Sequence, residues 1–317
     1  MKVLVTGSSG HLGEALMRVL RTRQIDAVGV DILPSPYTGL LGSITDRNFV
    51  RESMSGITHV LHTATLHKPH VLTHSRQQFI DTNITGTLNL LEESLLNDVR
   101  SFIYTSTTST FGDALTPDRH APAAWITEEV IPIPKNIYGV TKTAAEDLCQ
   151  LFYRNHQLPC LILKTSRFFP EADDDPDIAN SYADENVKAN EYLYRRVDIE
   201  DVVKAHLLAM EKATEIGFGK YIISASSPFG KHDLKDLNKN AFQVVKKYYP
   251  DFEEMYAKQG WILFPTIGRV YVNQKARQEL GWLPKFDFRY ILNSIKNGTG
   301  FKSALAGEVG SKGYHRK

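Results

Sequence analysis

Short β-branched runs alternate with helically spaced apolar positions through the first half of the chain, a pattern that predicts a parallel sheet covered by helices on both faces. Residues 2–6 read as a strand. Leu12, Ala15, Leu16, Val19 and Leu20 then fall on one face of a helix. Further strands are read at 27–30, at Leu40 and Leu41, at 57–62, at 102–106 and at 160–165, with helices at 46–54, about 78–96 and 136–155 between them. The repetition predicts an α/β, doubly wound (Rossmann) fold.

Beyond Thr165 the regularity breaks, and an acidic stretch at 171–185 is expected to form a loop over the site or a mobile lid. A helix at 199–210 and a strand at 221–224 restore the pattern. Residues 238–317 read as helix-rich, with a short strand near Val270 and a frayed tail, GSKGYHRK. The expected organisation is a dinucleotide-binding domain from 1–166 and about 197–226, with a smaller, mostly C-terminal substrate lobe from about 167–196 and 227–317.

At 317 residues the chain is near the upper limit for one hydrophobic core, which agrees with a large domain and an appended lobe. Its formal charge of +1, with no basic stripe, argues against a nucleic-acid partner. Cys149 and Cys160 sit in apolar surroundings, offer neither metal-ligand spacing nor a disulfide framework, and fit a reducing compartment. No run approaches the roughly 20 apolar residues of a membrane helix, and the first residues already form a strand, so a cytoplasmic protein is expected.

The candidate chemistry starts at TGSSGHLG. Gly7, Gly10 and Gly13 stand between the first strand and the first helix, where glycines permit a tight turn, close backbone approach to a pyrophosphate and close helix–strand packing. Asp31, ending the second strand, suits adenosine ribose hydroxyls and repels the extra phosphate of NADP, which favours NAD. Tyr138 and Lys142, four residues apart, share one face of a helix. A nearby ammonium favours the phenolate of a tyrosine whose ordinary pKa is near ~10. A cluster of hydroxyls, Thr105 to Thr110, follows the fifth strand at the sheet's carboxyl end, where one of them can hold a substrate oxygen.

These features, with VLHTAT, TNITGTLNLLEE, SFIYTSTTSTFG, YGVTK, RRVDIEDVVKAHLLAM and KARQELGWLP, resemble the extended short-chain dehydrogenase/reductases, the NAD-dependent epimerase/dehydratase family. The resemblance implies Thr107, Tyr138 and Lys142 as the catalytic set. It places Gly7, Ser9, Gly10, His11, Leu12, Gly13, Asp31, Ile32, Ser43, Ile44, Thr63, Ala64, Thr65, Asn83, Thr105 and Phe169 along the NAD, Asn83 in a mainly structural role. It also implies a homodimer built on helices around 88–96 and 144–152.

Departures from the family pattern bear on substrate. Ser43 stands before Ile44 where an adenine-binding Asp is common, and Thr108 and Ser109 replace the acidic pair that drives elimination in dehydratases. Arg167, Phe168, Phe169, Pro170 and Glu171 replace the region where epimerases hold a diphosphate with asparagine, although Arg195, Arg196 and Arg269 offer compensating cations. His67, His70 and His74 gather near the expected substrate position without a metal-like ligand set, so His67, Arg196 and Arg269 are read with Thr107 as substrate contacts. The expected function is oxidation of a secondary alcohol on a sugar-like small molecule, ending as epimerisation or net dehydrogenation. A non-catalytic NAD-binding sensor or scaffold is the alternative, disfavoured by the intact catalytic set.

Overall fold

The computed structural model describes residues 1–118, 121–173 and 175–313. Seven parallel strands form the main sheet: β1 (Lys2–Thr6), β2 (Asp26–Asp31), β3 (Leu40–Leu41), β4 (His59–His62), β5 (Ser101–Thr107), β7 (Cys160–Thr165) and β8 (Phe218–Ile223). Their spatial order is β3-β2-β1-β4-β5-β7-β8, so the winding direction reverses between β1 and β4. That switch opens a crevice at the strands' carboxyl ends, the place where doubly wound sheets hold ligands. The expected architecture is therefore observed.

Six helices frame that crevice: α1 (His11–Thr22), α2 (Arg47–Ser53), α3 (Arg76–Ile80), α4 (Gly86–Leu96), α5 (Ile137–His156) and, after two short helices, α8 (Ile199–Ile216). One face of the sheet buries Val3, Val5, Leu61, Ile103 and Leu161 against Leu16 and Leu20 of α1 and Val202 and Met210 of α8. The opposite face buries Leu4, Val60, Phe102 and Ile162 against Leu90, Leu91 and Cys149 of α4 and α5. Alternate residues of each strand thus serve opposite cores, as the two-residue pleat requires.

Several boundaries differ from the sequence reading. The helix expected at 78–96 begins at Arg76 and is interrupted by a wide π turn at Asp81–Thr85. Ser75 caps Gln78 N and Gln78 returns to Ser75 N, which moves the start earlier. The interruption coincides with Asn83, whose side chain bonds outside its own helix, and with Gly86, where a Cβ would stand 2.6 Å from Ile44. The strand read at 221–224 begins at Phe218, and α8 continues to Ile216.

A short parallel pair, β6 (Ala124–Ile126) with β9 (Arg269–Tyr271), joins the middle of the chain to its C-terminal part, and β6 carried no periodicity to announce it. The acidic stretch is not a plain loop. It holds α6 (Pro176–Ser181) and the start of α7 (Asp184–Glu191), with Asp174 outside the described residues. A separate aromatic core, including Tyr192, Phe252, Tyr256, Phe286 and Phe288, defines the lobe.

Ala276, Leu280, Trp282, Leu305 and Val309 pack instead on the sheet's core, tying the C-terminal part back to the nucleotide-binding side. Ser311 and Lys312 are held by hydrogen bonds to Glu171, while the last four residues of the tail read as frayed lie outside the described chain. No helix among the described residues is long and apolar enough to cross a membrane.

Candidate active site

A groove of about 790 Å³ runs along the carboxyl edge of the sheet from the glycine turn to the lobe. At its first end the chain leaves β1 through Gly7, at φ +71°, whose N–H donates to Val30 O at 2.8 Å. A Cβ there would lie 2.8 Å from Ala64 N, and one on Gly13 would lie 1.9 Å from Gly7 O. These two glycines are what allow β1, the end of β4 and α1 to converge. Gly10 caps α1 without a side-chain acceptor, leaving first-turn N–H groups for an anion. Asp31 accepts from Ser9 N and Leu33 N, each at 2.9 Å, so it braces the turn while standing on the groove wall with Ile32, Ser43 and Ile44.

The middle wall is built by β4 and the residues after it. Thr6 Oγ1 accepts from Thr63 N and Ala64 N and bonds His62 Nδ1 at 2.7 Å, and Thr63 Oγ1 donates to Thr6 O at 2.6 Å. Burial drives the His62 ring well below its ordinary pKa, so it serves as a neutral strut. Asn83 does not reach the groove. Its amide spans Leu66 N, Leu66 O and Thr141 Oγ1 at 2.8–3.0 Å and also accepts from Thr65 Oγ1, fixing the wall from behind. Its place along the cofactor is corrected to the supporting role also expected of it: a fully engaged buried amide has nothing left for a ligand.

Thr107, Tyr138 and Lys142 come together where β5 ends against the first turns of α5. Tyr138 and Thr107 line the same wall of the groove, and Asn136 caps α5 through Gly139 N at 3.1 Å. Thr107 also accepts from Ser109 N at 3.1 Å. One turn along, Lys142 Nζ donates to Thr105 O at 2.6 Å and lies 4.0 Å from the centre of the Tyr104 ring. Thr105 Oγ1 is in turn held by His206 Nε2 at 2.8 Å.

Burial opposes charge on both partners. It pushes the Tyr138 phenol up to about 12, against the pull of the nearby Thr107 side chain, and the Lys142 ammonium down to about 7. Glu146, one further turn along α5, works against the second shift. Its buried carboxylate pairs with Lys164 Nζ at 2.6 Å and accepts from Ser106 Oγ at 2.5 Å, between the two strand residues that serve the site. Sequence reasoning missed Glu146, yet its i+4 spacing from Lys142 was a visible signal.

The lobe end is rich in arginine. Burial alone would raise the Glu191 carboxyl, but Arg196, Arg195 and Arg167 bring it down to about 2. Arg195 and Arg167 line the groove with Asp173 beside them. Arg196, expected at the substrate, is buried behind the wall. It donates to Glu191 at 2.8 Å and to Phe169 O at 2.6 Å, which corrects its expected contact to a supporting one. The Phe169 ring it supports lies on the groove and stacks on His67 at 5.5 Å, 11° from parallel. His67, His70, His74 and Arg269 also line the groove.

Glu171 reaches across to α1, pairing with His11 Nε2 at 3.2 Å and accepting from Ser311 Oγ at 2.8 Å and Lys312 N at 3.1 Å. Despite burial, His11 and Ser311 bring its carboxyl down to about 2. The clasp joins the glycine turn, the segment after β7 and the C-terminal part. Its parts lie 160 and 140 residues apart in sequence, beyond any local pattern.

The residues fit a dinucleotide: a turn kept clear of Cβ atoms, an uncapped helix N-terminus, and a carboxylate at the end of β2. A doubly wound sheet with this turn and a hydroxyl, phenol and ammonium at its edge defines an oxidoreductase-type architecture.

The chain belongs to the NAD dependent epimerase/dehydratase family, a family of NAD-dependent enzymes whose model matches residues 3–223. An NAD-bound short-chain dehydrogenase/reductase superfamily protein from Agrobacterium tumefaciens shares the fold over 97% of this chain and 99% of its own, with a TM-score of 0.64 at 21% identity. UDP-glucose 4-epimerase from Thermotoga maritima, solved with UDP-glucose, shares it over 94% and 99%, with a TM-score of 0.63 at 23% identity. The uncharacterized protein y4nG of Sinorhizobium fredii is 34% identical over 153 residues, 46% of this chain and 36% of that protein. The chain spans 57% of another relative, the dTDP-glucose 4,6-dehydratase of Shigella flexneri.

Proposed function

We propose that this chain oxidises a secondary alcohol of a sugar-like substrate, with Tyr138 as the acid/base, Thr107 orienting the reacting oxygen and Lys142 supplying positive charge. The observation that carries this reading is that Thr107, Tyr138 and Lys142 share the wall of a groove that begins at the glycine turn, with Lys142 one helical turn from Tyr138. NAD held along Gly7–Gly13, Asp31 and Thr63–Thr65 supplies the hydride acceptor. A phenol at about 12 is a proton donor at neutral pH, so taking the substrate proton requires added positive charge beside it, which protonated Lys142 provides. Thr107 fixes the substrate oxygen within reach of that phenol.

Elimination is disfavoured because Thr108 and Ser109, not acids, follow Thr107. Relatives named as epimerases favour a sugar-based carbinol. The same first half-reaction leads to epimerisation when the reduced cofactor is retained and to net dehydrogenation when it leaves. Reduced cofactor accumulating beyond one equivalent of enzyme identifies the dehydrogenase, and none identifies the epimerase.

Replacing Tyr138 by Phe removes one oxygen from the site. Turnover is expected to fall by roughly 10²–10⁴, the usual worth of a general acid/base, with NAD affinity unchanged by calorimetry. Retained turnover would remove the mechanism. We further propose a homodimer through α4 and α5, whose Leu96, Val140 and Leu151 are exposed.

A further inference from the structure

Arg269 stands apart from the other arginines of the groove. Arg167, Arg195 and Arg196 are each ion-paired to Glu191 or Asp173, with Arg195 at 2.7 Å and Arg196 at 2.8 Å from Glu191. Among the described residues no carboxylate lies within ion-pair distance of the Arg269 guanidinium, and its buried Nε has no hydrogen-bond partner. Its surroundings are aromatic instead, with the Tyr194 ring at 5.9 Å and the Tyr271 ring at 6.0 Å.

Backbone pairing fixes where this cation stands. Arg269 opens β9 opposite Ala124 of β6, and two residues on, Tyr271 packs in the cluster containing Phe111, which ends the short turn after Thr107. Both Arg269 and Tyr271 line the same groove as Thr107 and Tyr138. A guanidinium flanked by rings, with one N–H unsatisfied, is a poorly hydrated cation that gains more from an anion than a surface arginine does.

We infer that Arg269 receives a single carboxylate on the substrate, so that the substrate is a polyhydroxylated acid of the sugar-acid class rather than a nucleoside diphosphate sugar. This rests on the oxidoreductase reading above and adds the identity of the substrate's charged group. The planar fork of the guanidinium matches a carboxylate through two parallel N–H donors. A diphosphate needs more positive charge than one unmatched arginine offers, and the neighbouring arginines are already engaged. Asp175 on the same wall adds repulsion toward a second negative charge. Asp175 itself is turned to α6, accepting from Asp177 N at 3.0 Å.

The test is calorimetric binding to the NAD-saturated protein, with D-glucuronate and D-galacturonate set against D-glucose, D-galactose and UDP-glucose. The acids are expected to bind about tenfold or more tighter than the matching neutral sugars, the worth of one charge-assisted pair. Arg269→Gln should erase that preference while NAD affinity and the thermal unfolding midpoint stay near those of the parent protein. Arg269→Lys, which keeps the charge but not the fork, should keep part of it.

Equal binding of acids and neutral sugars, a preference that survives Arg269→Gln, tighter binding of UDP-glucose, or binding of neither acid would each overturn the inference. Tyr138→Phe separates this result from the mechanism. That variant should retain the preference for acids while losing turnover, so a preference lost in Arg269→Gln with an inactive Tyr138 variant leaves both readings standing. A substrate that is neutral yet turned over through Tyr138 removes only the role given to Arg269.

Discussion

Gly13→Ala adds one methyl group where the structure has no room for it. The new Cβ would lie 1.9 Å from Gly7 O, 2.6 Å from Gly7 C and 2.9 Å from Ser8 Cα, all of them backbone atoms that no rotamer change can clear. Restoring an ordinary contact of about 3.4 Å requires the start of α1 and the glycine turn to separate by about 1.5 Å. Overpacking of this kind costs about 1–3 kcal/mol. The displaced groups include the α1 N-terminus that faces the dinucleotide pyrophosphate, so part of the cost appears in binding. Spent wholly on binding, it corresponds to roughly a 5- to 150-fold higher Kd for NAD.

Gly56→Ala is the matched control. Gly56 has a positive φ, +71°, where Gly13 is helical, and nothing lies within 4 Å of its Cβ position. Its substitution should lower stability by about 1 kcal/mol through left-handed strain alone and leave NAD binding untouched. Calorimetric NAD titration and thermal unfolding of both variants separate the two effects. A Gly13→Ala protein with parental Kd and parental unfolding midpoint would refute the assignment of this turn.

Three other expectations concern charge and assembly. Glu191→Gln leaves Arg167, Arg195 and Arg196 without their shared carboxylate and should destabilise the fold by about 3–5 kcal/mol, measured by chemical denaturation. Because the folded Glu191 carboxyl is depressed to about 2 from its ordinary value of 4.5, its contribution to stability is present above 4.5 and lost as pH falls toward 2; a midpoint insensitive to pH across that window would contradict the pairing. Glu146→Gln combined with Lys164→Met removes a carboxylate that favours charged Lys142 without stranding its buried ammonium partner. Lys164 acts on Lys142 in the opposite direction but more weakly, so the alkaline limb of the pH–rate profile should still move to lower pH, and a limb that moves to higher pH would show that Glu146 does not tune Lys142. Sedimentation at micromolar concentration should give a dimer that Val140→Lys with Leu151→Lys converts to monomer, whereas a parental monomer would remove the proposed interface.

The features legible in the amino-acid order are those whose partners are near in sequence. The strand–turn–helix around Gly7 and Gly13, the helical spacing of Tyr138 and Lys142, and Asp31 at the end of β2 follow from two-residue and 3.6-residue periods together with backbone sterics. The same order placed Arg195, Arg196 and Arg269 together as interchangeable cations, because a side chain's direction at the end of a strand depends on what packs against it. Only the folded chain separates Arg196, turned to Glu191 and Phe169 O, from Arg269, left facing the groove beside two tyrosines. Asn83 was drawn behind the wall by three backbone and side-chain partners that no local spacing reveals. The clasp of His11, Glu171 and Ser311 belongs to the same class: charges and hydrogen bonds act over a few ångströms in space, and tertiary packing alone decides which distant residues share those ångströms.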